Sequence, residues 1–523
     1  MPTASKKVIN SWAMYDWANS VYNLVITTTF FPIYFLAVSY FITPGSKKNT
    51  VADLKQFVSS YQFSGTSQDS DEARRYFLGN LAQIENKEYK RPIKSDIITD
   101  LGFETFRIKL WQHDKPIAQF IKDVQEHASK LMDNDEHNGQ VMLLGTPIKN
   151  TALYSFALSF AYAIVVLLLP MLTAIADSRG NKKKFMRFFC YMGSLACMAM
   201  YFLNKDTIWV GLLCMIVAAI GFYGSQVFYN SYLPDIADEH DRDRVSAKGY
   251  TMGYIGSVIL QVVGFALVMT MGATGVLYTF LLVGIWWIGF AQIPLKHLPD
   301  NEATGNPSHN AWQQGWQEMR KVWAQVKKDG MLKIFLIAFF FYISGVLTVM
   351  MVATNFGKDE LKLNETTLIT VVVVIQLVAI AGAKMIAALS EKFGNLKVLI
   401  ALVVLWVVCC IIGYFTYTAT QFYILAAIVG LVMGGIQSLS RSTYAKLIPP
   451  TKDTASFFSF YDIAEKLAMV FGLFAFGFID DNTGSMRNAI FSLIAFFAIG
   501  LILLLVALNI YNKRKKAATT LQP

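Results

Sequence analysis

The sequence predicts an all-α membrane protein whose twelve transmembrane helices form two repeats of six. Three observations support this fold. Of the 523 residues, 54% are hydrophobic and only 16% are charged, whereas soluble domains carry roughly a quarter charged residues. Apolar runs of membrane-spanning length recur along the chain. Short sequence marks also repeat between its two halves at a nearly constant separation.

The first run, within residues 11–41, carries a polar stripe as well as an apolar surface. Asp16, Asn19, Asn23 and Thr27 recur at spacings that place them on one face of a helix. Polar groups are costly in lipid unless they face protein or water. This face is therefore expected to line an interior that the rest of the chain supplies. Eleven further runs follow, at residues 152–176, 185–203, 208–233, 249–271, 276–295, 332–355, 368–389, 398–418, 422–447, 457–478 and 489–511.

The distribution of Lys and Arg in the short loops predicts the orientation. Basic residues cluster after the second and eighth runs and in the last segment, and Lys6 and Lys7 precede the first run. With twelve spans these clusters fall on one side, which we expect to be cytoplasmic and to hold both termini. The protein is thus expected to be a multi-pass protein of the bacterial inner (plasma) membrane, with residues 43–149 extracytoplasmic.

Two marks indicate an internal duplication. The pair Gly-Asn follows the second run at residues 180–181 and the eighth run at 394–395, a separation of 214 residues. The segment YNSYLP, which ends at Pro234, aligns with YAKLIP, which ends at Pro449, a separation of 215 residues. Parallel six-helix repeats are typical of the major facilitator fold, whose binding site lies between the halves near the bilayer midplane.

These features divide the chain into six segments. The polar insertion has nearly balanced charge, and residues 117–131 are predicted to form an amphipathic helix within it. A metal site at His113, His127 and His137 is less favoured than a solvated surface, because no tight ligand spacing occurs. The segments are 1–42, the first transmembrane helix; 43–149, the extracytoplasmic insertion; 150–297, helices two to six; 298–331, a cytoplasmic linker; 332–511, the C-terminal six-helix bundle; and 512–523, a basic cytoplasmic tail.

The linker contains a second amphipathic pattern. Trp312, Trp316, Met319, Trp323 and Val326 recur at helical spacing, and basic residues flank them. An aromatic face beside basic residues is typical of a helix that lies in the membrane interface. We interpret it as a tether between the two halves, with a regulatory, calmodulin-type role as the alternative.

Polar and ionisable side chains inside spans are candidates for function. Spans one, four, seven and ten all carry polar faces, which a two-fold repeat would arrange around a shared cavity. The predicted cavity residues are Asn19, Asn23, Thr27, Gln226, Asn230, Gln437 and Arg441. The predicted coupling or gating residues within spans are Asp16, Lys384, Asp462, Glu465 and Lys466.

Each ionisable candidate also has a purely structural interpretation. Asp16 is either buried or a helix-start residue that interacts with the helix dipole. Asp462 and Lys466, four residues apart, either serve transport or neutralise each other. Lys384 lies near the predicted cytoplasmic end of its helix and is close enough to reach the headgroups. Arg441 either binds a solute carboxylate or latches the two halves together.

Composition and motifs argue against several other functions. The formal net charge of +10 is distributed in short segments beside the spans, which is not the pattern of a nucleic-acid-binding surface. All five cysteines fall in apolar runs, and none has metal-ligand spacing with histidine. No Walker sequence or catalytic-triad spacing occurs. We therefore expect no cofactor and no enzymatic activity.

Several motifs resemble known transporters. Residues 176–184 (ADSRGNKKK) resemble the loop between helices two and three of the major facilitator superfamily, although Thr173 stands where a glycine is usual. This resemblance implies a gating role for Asp177 and Arg179. Residues 15–22 (YDWANSVY) are similar to the opening motif of the vacuole-effluxer-like (autophagy-related effluxer) family. Further similarity lies at Arg244-Val245-Ser246, Gly434–Gln437, Ser440-Arg441-Ser442 and Phe457-Phe458, whereas Leu473 stands where a proline is expected.

The resemblance implies a solute transporter, and the eukaryotic branch of the family is associated with amino-acid efflux from vacuoles. We expect a monomeric secondary transporter that works by alternating access in a lipid bilayer. Its partners would be a small solute and protons, with Asp16 or Glu465 as the protonatable group. The rival hypothesis is a non-transporting receptor or scaffold that uses residues 43–149 to bind an outer partner.

Overall fold

The computed structural model describes residues 3–41, 140–143, 146–303, 311–363 and 365–520. Within this part of the chain the protein is almost entirely helical. Contacts divide it into two compact units. One unit comprises the described residues within 1–30, 157–202 and 210–523, and the other comprises the described residues within 31–156 and 203–209. The helix predicted at 117–131 and the histidines of the insertion lie outside the described residues.

The first half of the chain supplies the first six spans and a short hairpin. In chain order its elements are α1 (Lys6–Val21), a π-helical segment (Tyr22–Phe30), α2 (Phe31–Phe41), β1 (Gln140–Leu143), β2 (Thr146–Lys149), α3 (Asn150–Arg179), α4 (Lys182–Ala199), a 3₁₀ turn (Met200–Phe202), α5 (Ile208–Ser231), α6 (Leu233–Ile236), α7 (Arg242–Met271) and α8 (Ala273–His297).

The second half supplies the linker helix and six long helices. They are α9 (Ala311–Lys328), α10 (Gly330–Asp359), α11 (Glu365–Phe393), α12 (Asn395–Tyr414), α13 (Ala419–Leu447), α14 (Thr454–Thr483) and α15 (Met486–Thr520).

Eleven helices among the described residues are long and apolar enough to cross a membrane. The remaining helix of the predicted twelve is α14, which has 30 residues and carries Asp462, Glu465 and Lys466 in its first half. Several helices extend past the predicted apolar runs; α15, for example, continues to Thr520. The helices continue past the apolar runs because polar residues form the same i to i−4 backbone hydrogen bonds as apolar residues.

The duplication is visible in the backbone. Gly180 and Gly394 adopt φ values of 64° and 87° in the turns before α4 and α12. Gly272 and Gly484 adopt φ values of 59° and 62° in the turns after α7 and α14. The members of each pair lie 214 and 212 residues apart. Only glycine adopts this conformation without strain, so the two repeats turn at corresponding places.

The smaller unit contains the hairpin. β1 and β2 pair antiparallel, with Val141 opposite Ile148. The Asn150 amide, at the start of α3, donates to Ser39 Oγ at 3.0 Å. The Tyr34 hydroxyl donates to the carbonyl oxygen of Leu203 at 3.1 Å. These bonds tie α2 to the segments that follow it in this unit.

In the larger unit, α1 packs against α7 and α8. A Cβ added to Gly256 on α7 would lie 2.7 Å from the Trp17 carbonyl oxygen, so glycine permits this approach. Trp286 of α8 stacks on Trp17 and donates its indole N–H to the same carbonyl at 3.0 Å. These contacts fix the rotation of α1 so that Asp16 and Asn19 are buried.

Candidate functional site

A buried ion pair joins the two repeats. Arg441 on α13 places Nη1 and Nη2 each 3.2 Å from Asp16 Oδ2 on α1. The side chains of Arg441 and Asp16 are only 1% and 4% exposed. Asp16 lies about three turns beyond the start of α1, so it is not a helix-start residue. Removing water from two charges is costly, and such a pair persists only where every polar group finds a partner.

Arg441 has such partners for all of its donors. Its Nε donates to Ser246 Oγ at 3.0 Å, Nη1 donates to Asn230 Oδ1 at 3.1 Å, and Nη2 donates to the Ser246 carbonyl at 2.8 Å. A guanidinium has five N–H donors, and these three bonds with the two to Asp16 use them all. In this arrangement Arg441 has no donor left for a solute.

Aromatic rings and one glycine enclose the pair. The guanidinium lies over the rings of Trp12, Tyr229 and Tyr250, at 4.9, 5.5 and 4.3 Å from their centroids. The Tyr229 hydroxyl also donates to Asp16 Oδ2 at 2.7 Å. A Cβ on Gly249 would lie 2.4 Å from the same oxygen. The pair therefore depends on a small residue at position 249.

Asp177, at the end of α3, caps α14 of the other repeat. Its carboxylate accepts the Ser456 and Ala455 backbone N–H groups at 2.7 and 3.3 Å and the Ser456 hydroxyl at 2.7 Å. Asp453, the residue before α14, does not provide this cap, and its side chain accepts from Lys321 Nζ at 3.1 Å instead. Unsatisfied N–H groups and the positive end of the dipole favour a carboxylate there.

Lys182 continues this contact across the first repeat. Its Nζ lies 3.6 Å from Asp177 Oδ1 and 3.0 Å from Asp235 Oδ2. It also donates to Thr454 Oγ1 at 2.5 Å. Lys182 is itself only 1% exposed. The basic loop after α3 thus holds the start of α14 through a charged residue as well as through the cap.

A third carboxylate of the first repeat also accepts hydrogen bonds from the second repeat. Asp243, in the first turn of α7, accepts from Lys446 Nζ at 2.7 Å, Ser390 Oγ at 2.9 Å and Asn395 Nδ2 at 2.7 Å. All three donors belong to the second repeat. Sequence reasoning did not single out Asp243. The available signal was the DRDR run at 241–244, where a helix begins beside a predicted span.

Between the repeats, α14 presents a charged cluster. Lys466 pairs with Glu465, and its Nζ lies 4.4 Å above the ring of Tyr223 on α5. The Tyr223 hydroxyl is 3.1 Å from the Tyr162 hydroxyl of α3. Lys466 makes its direct ion pair with Glu465, while Asp462, the predicted i, i+4 partner, remains within electrostatic reach of Lys466. Neither oxygen of the buried Asp462 carboxylate accepts a hydrogen bond of normal geometry within the described part of the chain.

Amide side chains of both repeats lie partly buried or buried among these groups. Asn19 Nδ2 donates to Gln226 Oε1 at 3.4 Å, and the Tyr254 hydroxyl donates to Gln437 Oε1 at 2.9 Å. Among the described residues the side-chain oxygens of Asn19 and Asn23 are buried without a hydrogen-bond partner. Two unsatisfied acceptors in the first span indicate a place where a hydrogen-bond donor of a ligand would be stabilised.

Asn23 and Thr27 lie in the π-helical segment of the first span. In this segment the hydroxyls of Thr28 and Thr29 both donate to the Leu24 carbonyl, at 2.8 and 3.0 Å. π-helical turns are rare and occur frequently at functional sites. The predicted stripe is therefore interrupted by a wider helix, which the sequence pattern did not reveal.

Two of the predicted residues have exposed side chains instead of buried ones. Arg179 and Lys384 are both exposed. Lys384 therefore does not reach the interior between the repeats, and its position matches the alternative that it extends toward the headgroups.

Outside the spans, two linker carboxylates contact the basic loops. The bond from Lys183 lowers the pKa of Asp300, and the bond from Lys452 lowers the pKa of Glu302. A carboxyl whose pKa is lower in the folded protein stabilises the fold at pH values above its unfolded pKa. This stabilisation is lost as the pH falls through the pKa of the folded protein. Both contacts are thus retained at neutral pH and are lost only below the ordinary carboxyl range of about 4.

Comparison with known proteins decides the family. Residues 4–518 match the sequence profile described as "Vacuole effluxer Atg22 like". The chain belongs to this family. It is 33% identical over 368 residues to the uncharacterised MFS-type transporter YxiO of Bacillus subtilis, covering 68% of this chain and 84% of that protein. It is 27% identical over 420 residues to autophagy-related protein 22 of Kluyveromyces lactis, covering 72% of this chain and 84% of that protein.

Solved structures confirm the predicted major facilitator fold. The human organic anion transporter MFSD10 is similar with a TM-score of 0.56 at 10% identity, over 95% of this chain and 99% of that chain. The transporter FucP in its outward conformation is similar with a TM-score of 0.56 at 13% identity, over 70% and 91% of the two chains. This member of the vacuole effluxer family is an integral membrane transporter of the major facilitator type and not an enzyme.

Proposed function

We propose that the protein exports a small zwitterionic solute, an amino acid, from the cytoplasm by alternating access, coupled to protons at α14. The observation that carries this proposal is the Glu465–Lys466 pair, which reaches from the second repeat to Tyr223 of the first. Ionised side chains inside a bilayer are costly and are retained where they serve a solute or ion.

The cluster offers groups for both charges of an amino acid. Lys466 has three N–H donors, of which Glu465 takes one, so its ammonium can receive a solute carboxylate. Glu465, with a side chain 21% exposed, would then be free to receive the solute ammonium. In this proposal the unsatisfied oxygens of Asn19 and Asn23 on the first span would serve as further acceptors for the solute. Arg441 is excluded from this role because its donors are already used.

The contacts at Asp16, Asp177 and Asp243 would form the cytoplasmic gate. Each joins one repeat to the other, and the topology places all three toward the end that carries the basic loops. Opening toward the cytoplasm requires them to separate. We accordingly assign Arg441 the role of a latch and Asp177 the role of a gate residue. We also propose that both termini are cytoplasmic, that residues 43–149 are extracytoplasmic and that the protein acts as a monomer.

We assign the exchangeable proton to Asp462. Asp16 is held by Arg441 and Tyr229, and Glu465 is held by Lys466. Asp462 is buried, and within the described part of the chain an ionised carboxylate there has lost its hydration without gaining a hydrogen bond of normal geometry. Asp462 faces Lys466 and Glu465 on its own helix, Arg441 and Tyr444 on α13, Tyr250 on α7 and Asn230 on α5.

The test uses the purified full chain in proteoliposomes. We expect exchange of labelled amino acids across the membrane, and accumulation when a pH gradient is imposed. Asp462→Asn should retain exchange but lose the gradient-driven accumulation. If no amino acid exchanges while sugars or nucleosides do, the substrate class is wrong although the transporter assignment stands. If Asp462→Asn still accumulates solute, the proton does not reside on Asp462.

A further inference from the structure

The linker helix α9 docks on the bundle through one narrow face. Val322 and Val326 are 0% and 2% exposed. Gly315, on the same face, approaches α3 so closely that a Cβ there would lie 2.7 Å from Met171 Sδ and 2.9 Å from Ile175 Cγ1. The docked face therefore consists of a glycine and aliphatic residues, and at Gly315 it packs directly against α3 of the first repeat.

The same helix is also attached to the second repeat. Lys321 Nζ lies 3.1 Å from Asp453 Oδ2, directly before α14. Trp323 stacks on Phe460 of α14 with ring centroids 5.3 Å apart. Because Gly315 contacts α3 and these residues contact α14, α9 lies across the junction between the two repeats. It reaches α14 within two turns of the cap that Asp177 provides.

A second stripe on α9 is largely exposed, although Trp323 within it also stacks on Phe460. Trp312, Trp316 and Trp323 are 57%, 48% and 44% exposed. Arg320 lies over the ring of Trp316 at 5.2 Å, and Lys327 lies over the ring of Trp323 at 4.9 Å. The sequence pattern had placed Val326 on this same stripe, but Val326 belongs to the docked face. Neighbouring residues differ by about 100° around a helix, which is enough to separate the two stripes.

The chemistry of the exposed stripe matches a membrane surface. Tryptophan rings favour the headgroup depth of a bilayer, and basic side chains beside them attract anionic lipids. A cation that lies over a ring face keeps its N–H donors available for an oxyanion. Arg320 and Lys327 are both exposed and repeat the same cation-on-Trp arrangement two turns apart.

We propose that α9 is a strap across the two repeats and that anionic phospholipid holds it in place, with lipid phosphates bound by Arg320 and Lys327. This step rests on the cytoplasmic gate proposed above: if opening breaks the contact between Asp177 of α3 and the start of α14, α9 must release one of the two helices. Lipid bound to the strap therefore favours the closed arrangement and slows opening. The proposal does not depend on which solute is transported.

The test measures hydrogen–deuterium exchange of the full chain in nanodiscs of phosphatidylcholine, with and without phosphatidylglycerol. We expect phosphatidylglycerol to slow exchange at residues 311–328 and at the first turns of α14, residues 454–460. The double variant Arg320→Gln/Lys327→Gln should lose this lipid effect. Each basic residue near an anionic surface corresponds to about a fivefold change in equilibrium, so the combined loss is up to roughly 25-fold.

A matched control removes two charges elsewhere. Lys392, in the last turn of α11, and Lys397, in the first turn of α12, are exposed basic residues, and Lys392→Gln/Lys397→Gln should keep the lipid effect. Exchange that is equal in both lipid mixtures, or an effect lost equally in the control, would overturn the proposal. Inorganic phosphate added to phosphatidylcholine nanodiscs should have no effect; slowing by phosphate alone would show that the stripe binds a soluble anion instead.

A second pair of variants tests the strap without changing charge. Gly315→Leu should push α9 away from Met171 and raise exchange at residues 311–328 even with phosphatidylglycerol. Gly330→Leu is the control, because a Cβ at Gly330 meets no atom within 4 Å. Unchanged exchange in Gly315→Leu, with a normal size-exclusion profile, would show that α9 is not held against α3.

Discussion

Arg441 and Asp16 join the two repeats through a single carboxylate oxygen, which lies 3.2 Å from both terminal nitrogens of the guanidinium. The two residues are 425 positions apart in the chain. The pair is buried, and Tyr229, Asn230 and Ser246 complete its hydrogen bonds. Its stability therefore depends on the two repeats remaining together at this end.

Substitution of Gly249 should disrupt this pair. In Gly249→Ala the new Cβ would lie 2.4 Å from Asp16 Oδ2 and 2.9 Å from Arg441 Nη2, so the charged groups must move apart. We expect a lower midpoint of thermal unfolding, measured by size-exclusion chromatography after heating. Gly289→Ala is the control, since a Cβ there meets no atom within 4 Å. Its midpoint should stay the same or rise, because alanine favours a helix over glycine by about 1 kcal/mol.

Removing both members of the pair should cost less than the sum of the two single removals. Asp16→Asn or Arg441→Gln leaves a buried charge without its counterpart, which destabilises proteins by about 3–5 kcal/mol. The double variant leaves no uncompensated charge, so its loss of unfolding free energy should be smaller than the sum of the single losses. Titration with SDS in mixed micelles measures these free energies. Additive losses would show that the two residues do not interact.

Loss of the Asp177 cap should loosen the start of α14. Asp177→Ala removes the acceptor of the Ser456 and Ala455 N–H groups. A helix cap contributes about 1 kcal/mol, which corresponds to roughly fivefold faster amide exchange at residues 454–459 by mass spectrometry. Asp177→Asn keeps an oxygen acceptor and should give an intermediate rate. Equal rates in the wild type and Asp177→Ala would contradict the cap.

Two lysines within spans should differ in their importance for transport. Lys466 is buried between the repeats, whereas Lys384 is exposed. Lys466→Gln removes the charge that we assign to the solute carboxylate and should lower amino-acid exchange in proteoliposomes at least about tenfold, since hydrogen bonds to a charged group contribute about 1.5–3 kcal/mol. Lys384→Gln should leave exchange unchanged. A strong loss of amino-acid exchange in Lys384→Gln would contradict the conclusion that Lys384 lies outside the transport path.

The candidate residues show where sequence reasoning ends. Helical spacing placed Asp16 and Asn19 on one face, and the structure buries both. The same reasoning could not choose between the alternatives for Arg441, because its partners come from α1, α5 and α7. Asp243 was missed for the same reason, since its three donors lie in the other repeat.

The sequence by itself determined the membrane class, the number of helices and the duplication, because hydropathy and turn glycines act locally along the chain. Gly180 and Gly394 mark the same turn in both repeats whatever surrounds them. Only the tertiary structure decided which charged groups meet. The pairing of Asp16 with Arg441, the contact of Lys466 with Tyr223, and the capping of α14 by Asp177 depend on helix rotation and depth. Those are set by packing between distant segments, which no local pattern contains.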